Sequence, residues 1–242
     1  MTVAAVLTAA GSGSRLGHSL PKALVSLGGQ SLVAHAARNL LAARTAGDRH
    51  VQTLVVTAPA EHVAAVSDAL AHLDVLVVPG GPTRQASVAA GLAALRSAPG
   101  SEDISVVLVH DAARPLAPPS LIARVVDAVL SGHHAVVPGL PVTDTVKQVE
   151  PGGPVELVVA TVPRADLRAV QTPQGFSWEL LSRAHATFAA DADHESSAAS
   201  DDAGLVERLG ERVWVVAGDE RAAKITTPRD LAVATLLLEA DG

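Results

Sequence analysis

Short runs of Val, Leu and Ile alternate with alanine-rich stretches along most of this chain, and that alternation restricts the fold more than any single motif does. A strand buried on both faces needs an almost unbroken apolar run, and a parallel neighbour is reached only through a crossover, usually a helix. The candidate strands are 3–7, 52–57, 74–78, 105–109, 134–137 and 213–216. Helices are expected over about 31–44, 60–72, 84–96, 119–131, 177–189 and 228–239. The first follows Ser31, the second a turn at Pro59, and the last opens with Thr227 and Pro228, a cap followed by proline in the first helical position. The expected fold class is α/β, a doubly wound and mostly parallel sheet. In such sheets ligands bind beyond the carboxyl ends of the strands, so the chemistry belongs in the loops that follow them.

The first of those loops is glycine-rich. Thr8 to Lys22 reads T-A-A-G-S-G-S-R-L-G-H-S-L-P-K, with two strong cations and no acid. Gly11 and Gly13 carry no Cβ, so the backbone can turn successive N–H groups toward one anion, and Arg15 and Lys22 add full charges. The first acidic residue of the chain is Asp48, whereas Arg15, Lys22, Arg38 and Arg44 all precede it. This is the makeup of a polyphosphate cradle. It is neither of the two commonest ones: a dinucleotide fingerprint would need glycine where Leu16 stands, and no Gly-Lys-Ser/Thr of a P-loop occurs. The plain reading, a strand-to-helix turn whose glycines only permit a tight bend, is weakened by Arg15 and Pro21-Lys22.

Composition narrows the class of ligand. At 242 residues and 48% hydrophobic the chain can bury a substantial core, and the expectation is one domain over 1–242. A net charge of -7 and 2% aromatic residues argue against nucleic acid, since there is neither a phosphate-neutralising excess nor a set of stacking platforms. No apolar stretch reaches the roughly 18 to 20 residues that span a bilayer, and no basic residue precedes the first apolar run, so no membrane partner and a cytoplasmic location are expected. Without cysteine there is neither a disulfide nor a thiolate metal site. The ligand should be a small polyanion held locally.

The run 105–109 ends in His110-Asp111-Ala112-Ala113-Arg114-Pro115. A carboxylate at that edge could hold Mg²⁺, which takes one or two carboxylates together with phosphate oxygens and water; alternatively Asp111 caps a helix or pairs with Arg114. The histidines, including the adjacent His133-His134, lack ligand spacing and read as surface residues. Gly80 to Val88, G-G-P-T-R-Q-A-S-V, offers amides from Gly80 and Gly81, a guanidinium from Arg84 and a hydroxyl from Ser87. It forms a base or ribose pocket or, equally, a capped turn with a solvated arginine.

The segment 140–163 breaks the rhythm. Val142 to Val149 and Val155 to Val162 look extended around the turn cluster Glu150-Pro151-Gly152-Gly153-Pro154, and so long a hairpin is expected to pack on a second copy as a dimerisation arm rather than stand as a surface hairpin. Ala189 to Ala203 is polar and low in complexity, and most of it is expected to be loop. Lys224 adjoins apolar residues beyond the last strand and by itself reads as solvated.

Taken in order, these segments resemble the 2-C-methyl-D-erythritol 4-phosphate cytidylyltransferase family of the non-mevalonate isoprenoid pathway. The resemblance rests on A-A-G-S-G-S-R-L-G with P-K at 9–22, G-G-x-x-R-x-x-S-V at 80–88, H-D-A-A-R-P at 110–115 and D-T-V-K at 144–147. It continues through T-V-P-R at 161–164, T-P-Q at 172–174, D-D-A at 201–203 and K-I-T at 224–226. It implies a Rossmann-like nucleotidyltransferase fold, CTP as co-substrate, Mg²⁺ as cofactor, and attack by a polyol phosphate on the α-phosphorus with loss of pyrophosphate. By the same resemblance Arg15 and Lys22 contact the triphosphate and Asp111 holds the metal, while Arg164 and Lys224 position the attacking phosphate. Arg114, Thr145, Thr172 and Ser200 contact or support the polyol phosphate. The backbone from Ala9 and Ala10 through Gly11 to Gly13, with Gly81, Arg84, Ser87 and Ala112, surrounds the nucleotide. Arg164 follows the arm and is expected in the partner's site, so a homodimer is implied. Departures are Pro82 at a position often acidic, Ser200 for threonine, and Ala222-Ala223 for Asn-Ile. A ribitol-5-phosphate cytidylyltransferase is the alternative enzyme, and a noncatalytic nucleotide-binding regulator the alternative of another class.

Overall fold

The computed structural model describes residues 2–10, 21–194 and 198–240. In chain order these form β1 (Thr2–Thr8), β2 (Ser26–Leu27), β3 (Gln30–Ser31), α1 (Leu32–Ala42), β4 (Val51–Ala58), α2 (Val63–Ala69), β5 (Leu76–Pro79), α3 (Arg84–Ser97), β6 (Ile104–Asp111) and α4 (Pro119–Leu130). There follow β7 (Ala135–Pro141), β8 (Val146–Glu150), β9 (Leu157–Val162), β10 (Arg168–Val170), β11 (Gln174–Ser177), α5 (Trp178–Thr187), α6 (Asp202–Arg208), β12 (Trp214–Ala217) and α7 (Pro228–Ala240).

The main sheet runs β10-β7-β11-β6-β1-β4-β5, with β12 added parallel to β7. β5, β4, β1 and β6 are parallel, as their unbroken aliphatic runs require. β1 therefore lies between β4, which follows it through α1, and β6, which comes later in the chain, and the strand order reverses between β1 and β6. Residues alternate across the sheet: Val3, Ala5 and Leu7 of β1 pack with α1, α2 and α4, whereas Ala4 and Val6 pack with α3, α5 and α6. The α3 side is tight. A Cβ on Gly91 would lie 2.5 Å from Cγ1 of Val6, so glycine in mid-helix is what lets α3 approach the sheet.

Three features depart from the expectations. The expected helix 60–72 is a 3-10 turn at Ala60–His62 followed by the short α2. β10 and β11 are antiparallel, and β11 separates β6 from β7; its sequence, Gln-Gly-Phe-Ser, lacks the aliphatic run of its neighbours. Within 189–203, expected to be mostly loop, Ala189–Asp191 is a 3-10 turn, Asp201 caps α6 by accepting from the Gly204 N–H, and Asp202 is 1% exposed.

The hairpin at 140–163 forms. Among the described residues β8 and β9 pair only with each other, with a register shift between Gln148 and Val149; Val155 between them is 85% exposed, and Leu157, Val158 and Val159 of β9 are also exposed. No helix among the described residues is long and apolar enough to cross a membrane.

Candidate active site

The reversal of strand order opens a crevice at the carboxyl ends of β1 and β6, where Thr8 and Asp111 are register partners. The Thr8 hydroxyl lies 3.3 Å from Asp111 Oδ1 and 3.2 Å from the His110 carbonyl. A cavity of about 360 Å³ starts there, lined by Thr8, Ala9, Ala10, Lys22, Ala23, Gly81, Pro82, Thr83, Arg84, Ser87, Asp111, Ala113, Lys224 and Thr226. It gathers segments from both ends and the middle of the chain. A second cavity of about 300 Å³ shares Lys224 and extends between α7 and Pro115-Leu116.

Of the residues singled out from the sequence, Ala9, Ala10, Lys22, Gly81, Arg84, Ser87, Asp111 and Lys224 meet in the first cavity. Gly11, Gly13 and Arg15 lie outside the described residues. Lys22 begins a 3-10 turn, Lys22–Leu24, whose buried Ala23 belongs to the core on the α1 side. Gly81 lets the loop fold against the first turn of α3, where a Cβ would come within 2.4 Å of Ala86 Cβ. Ser87 is buried, and its hydroxyl accepts from the Gly81 N–H and reaches the Thr83 carbonyl at 2.8 Å. It therefore braces the 81–83 loop where that loop lines the cavity.

Asp111 is the charge centre. Its Oδ2 lies 2.8 Å from Lys224 Nζ and its Oδ1 3.1 Å from Arg84 Nε. Burial alone would raise its pKa, but the Arg84 and Lys224 charges hold it well below the usual carboxylate range. The pairing of Asp111 with Arg114 considered from sequence is replaced by these two partners. Arg84 lines the cavity but is not simply solvated: its Nη1 lies 2.6 Å from Oδ2 of Asp202. Burial weakens its hold on the proton, yet Asp202 and Asp111 more than reverse this.

Arg114 points away from the cavity. One of its Nη groups donates to the Ala222 carbonyl at 2.7 Å and the other to that of Val170 at 3.3 Å, which ties the 110–115 loop to the segment before Lys224. Ala112 is buried and donates its N–H to the Thr8 carbonyl, locking the two strand ends together. Thr172 is a support. The Asp111 N–H donates to its hydroxyl at 3.1 Å, and the hydroxyl lies 2.9 Å from Nδ1 of His110. Because Nε2 of His110 faces the Arg114 carbonyl at 3.2 Å, the proton sits on Nε2 and Nδ1 accepts from Thr172. Burial pushes the His110 pKa down to about 4, so the ring stays neutral. Thr145 belongs to the arm and Arg164 follows it, donating to the Thr143 carbonyl, and neither lines the cavity. Ser200 is exposed just before Asp201.

The sequence reading missed Asp202 and His185. The D-D-A motif marks Asp202 only as part of the family resemblance, supplying a cap and a buried carboxylate in successive positions, and His185 has no local signal.

A single carboxylate faces the cavity, and no cluster of three or more His, Cys, Asp or Glu positioned for a metal occurs among the described residues. That donor chemistry suits Mg²⁺, which takes one protein carboxylate when phosphate oxygens and water complete its shell. The arrangement can therefore hold an anionic nucleotide between Lys22 and Lys224 and a divalent cation at Asp111.

The family model for 2-C-methyl-D-erythritol 4-phosphate cytidylyltransferases matches residues 3–240. The chain belongs to that family. It is 51% identical to the 2-C-methyl-D-erythritol 4-phosphate cytidylyltransferase of Saccharopolyspora erythraea over 98% of this chain and 100% of that one. Against the enzyme of the same name from Streptomyces avermitilis the identity is 50%, over 97% of this chain and 91% of that one. The crystal structure of the Thermus thermophilus 2-C-methyl-D-erythritol 4-phosphate cytidylyltransferase is similar with a TM-score of 0.75 at 37% identity, covering 99% of this chain and 100% of that one. As a member of the 2-C-methyl-D-erythritol 4-phosphate cytidylyltransferase family the chain is a nucleotidyltransferase, and the ribitol phosphate alternative is not favoured.

Proposed function

We propose that this chain transfers CMP from CTP to 2-C-methyl-D-erythritol 4-phosphate, releasing pyrophosphate, and that it does so in the cytoplasm as one domain that pairs through the 140–163 arm. The observation that carries the reading is the convergence of Lys22, Lys224 and Asp111 on one cavity at the β1/β6 crevice.

The acceptor's phosphate is already an anionic nucleophile near neutral pH, so the chain needs no general base. Its task is to bring two polyanions together and to stabilise charge that builds up on the triphosphate. Lys22, with Arg15, serves the triphosphate. Lys224 leaves Asp111 Oδ2 for the incoming phosphate and holds it in line with the α-phosphorus. Thr172 and His110 keep the Asp111 backbone, and Arg84 keeps its carboxylate, in a fixed orientation. Asp111 would hold Mg²⁺, which would supply positive charge to offset that of the phosphates. Thr145, exposed on an arm rich in uncovered valine, and Arg164, exposed just after it, would reach the acceptor in the second copy's site.

The test offers methylerythritol 4-phosphate and ribitol 5-phosphate separately, with CTP and Mg²⁺, and follows pyrophosphate release. Preference for the first is expected. Equal or better use of ribitol 5-phosphate, or no turnover with either, would overturn the assignment.

A further inference from the structure

Arg84 lies between two carboxylates that differ in what they face. Asp111 opens to the cavity, whereas Asp202 is buried beneath it at 1% exposure. Asp202 is held from its other side by His185, whose Nε2 donates to Oδ1 at 2.9 Å and whose Nδ1 has no partner among the described residues. The groups form one line through the molecule: Lys224, Asp111, Arg84, Asp202, His185.

The charges along that line pose a problem that Asp202 solves. Arg84 fixes one oxygen of Asp111, which is useful for orientation. A lone guanidinium at 3.1 Å would also cancel the carboxylate's charge, and once Lys224 turned to a phosphate, Asp111 and Arg84 together would be neutral. A neutral pair attracts a divalent cation poorly in a site of low dielectric. With Asp202 on the far side the three groups carry a net charge of −1, and that charge is accessible only at Asp111. We propose that Asp202 is a positioning residue that acts through Arg84: it supplies the counter-charge that lets Arg84 orient Asp111 without neutralising it, and His185 fixes Asp202 in that role. This rests on Asp111 being the cation-binding carboxylate.

The experiment titrates Mn²⁺ into the full chain with saturating CTP and no acceptor, following water-proton relaxation, which separates protein-bound Mn²⁺ from Mn²⁺ on free nucleotide. Thermal melting of each variant is recorded in parallel. Asp202→Asn is expected to weaken Mn²⁺ binding about tenfold. The double variant Arg84→Met/Asp202→Asn removes one charge of each sign, so its binding should return to within about threefold of the unsubstituted chain, while kcat stays low because Asp111 is no longer oriented. A merely structural role predicts the opposite order, with the double variant the weaker binder. His185→Gln, which retains a donor near Nε2, should bind Mn²⁺ as the unsubstituted chain does, and His185→Leu should not.

Asp111→Asn separates the two levels of the argument. If it leaves Mn²⁺ binding unchanged, the cation is not at Asp111 and the proposal falls with that assignment. If it abolishes binding while Asp202→Asn has no effect, the counter-charge role alone is overturned. Should Asp202→Asn fail to fold, the double variant decides: binding near that of the unsubstituted chain supports the proposal, and a tenfold loss overturns it.

Discussion

Lys224 Nζ sits 2.8 Å from Oδ2 of Asp111, across 113 residues of sequence. The lysine proposed to position the acceptor phosphate and the carboxylate proposed to bind metal thus neutralise each other in the ligand-free chain. On the proposed function, substrate phosphate would compete for the lysine and uncover the oxygen, and one ion pair would couple the two ligand sites. Lys224→Gln should therefore leave Asp111 Oδ2 without its occupant, tighten Mn²⁺ binding and lower kcat by roughly 10². Unchanged turnover would remove Lys224 from the mechanism.

Lys22 lines the same cavity. Lys22→Ala is expected to melt as the unsubstituted chain does and to lose roughly 10² to 10³ in kcat, the usual cost of one transition-state charge contact. Pyrophosphate release at saturating CTP, beside a circular dichroism melt, checks both halves of the statement.

Arg164 stands at the foot of the arm, just after β9, and does not line the cavity of its own chain. Arg164→Ala should raise KM for the acceptor far more than KM for CTP. Mixed with Lys22→Ala under conditions of subunit exchange, it should recover part of the lost activity, because one of the two sites in a mixed dimer is intact. No recovery after verified exchange would count against a shared site.

His110 is neutral and buried, with a pKa pushed down to about 4 from an ordinary value near 6.5. The unfolded chain binds a proton that the folded one refuses between those values, so stability is complete above about pH 6.5 and falls as pH drops toward 4. A shift of that size corresponds to roughly 3 kcal/mol. Urea unfolding at pH 7 and pH 5 should show a loss that His110→Asn, which keeps an acceptor for Thr172 but does not titrate, largely abolishes.

Gly91 has no room for a side chain: the added Cβ would meet Val6 at 2.5 Å and Thr57 Cγ2 at 3.3 Å. Gly91→Ala gains helix propensity yet forces α3 off the sheet, and a net loss of about 1–3 kcal/mol is expected. A raised melting temperature would mean that the contact relaxes freely.

The parallel half of the sheet was legible because β1, β4 and β6 are buried on both faces and have aliphatic runs to match. The crevice followed from that topology, and Lys22, Asp111 and Lys224 lie where loops after strands place them. β11 was not legible: flanked by β6 and β7, it is covered by neighbours that its own Gln174 and Gly175 do not announce. Nor was Asp202. An Asp-Asp pair in a polar stretch reads as solvated, and what buries the second one is Arg84, 118 residues earlier, and His185, 17 residues earlier. Charge compensation between distant residues leaves no local periodicity. The ion pairs of Arg84 were not legible for the same reason, since its partners are carboxylates from two other parts of the chain.

The route of the chain into the crevice also sets when the site can come into being. Thr8 is made first, Asp111 103 residues later and Lys224 another 113 residues on, where the Ile225 N–H is tied to the Ala113 carbonyl. A nascent chain that has emerged only as far as β6 therefore contains the Thr8 and Asp111 strand ends but not Lys224, and the cavity gains its full lining only when the segment that carries Lys224 and Thr226 joins it.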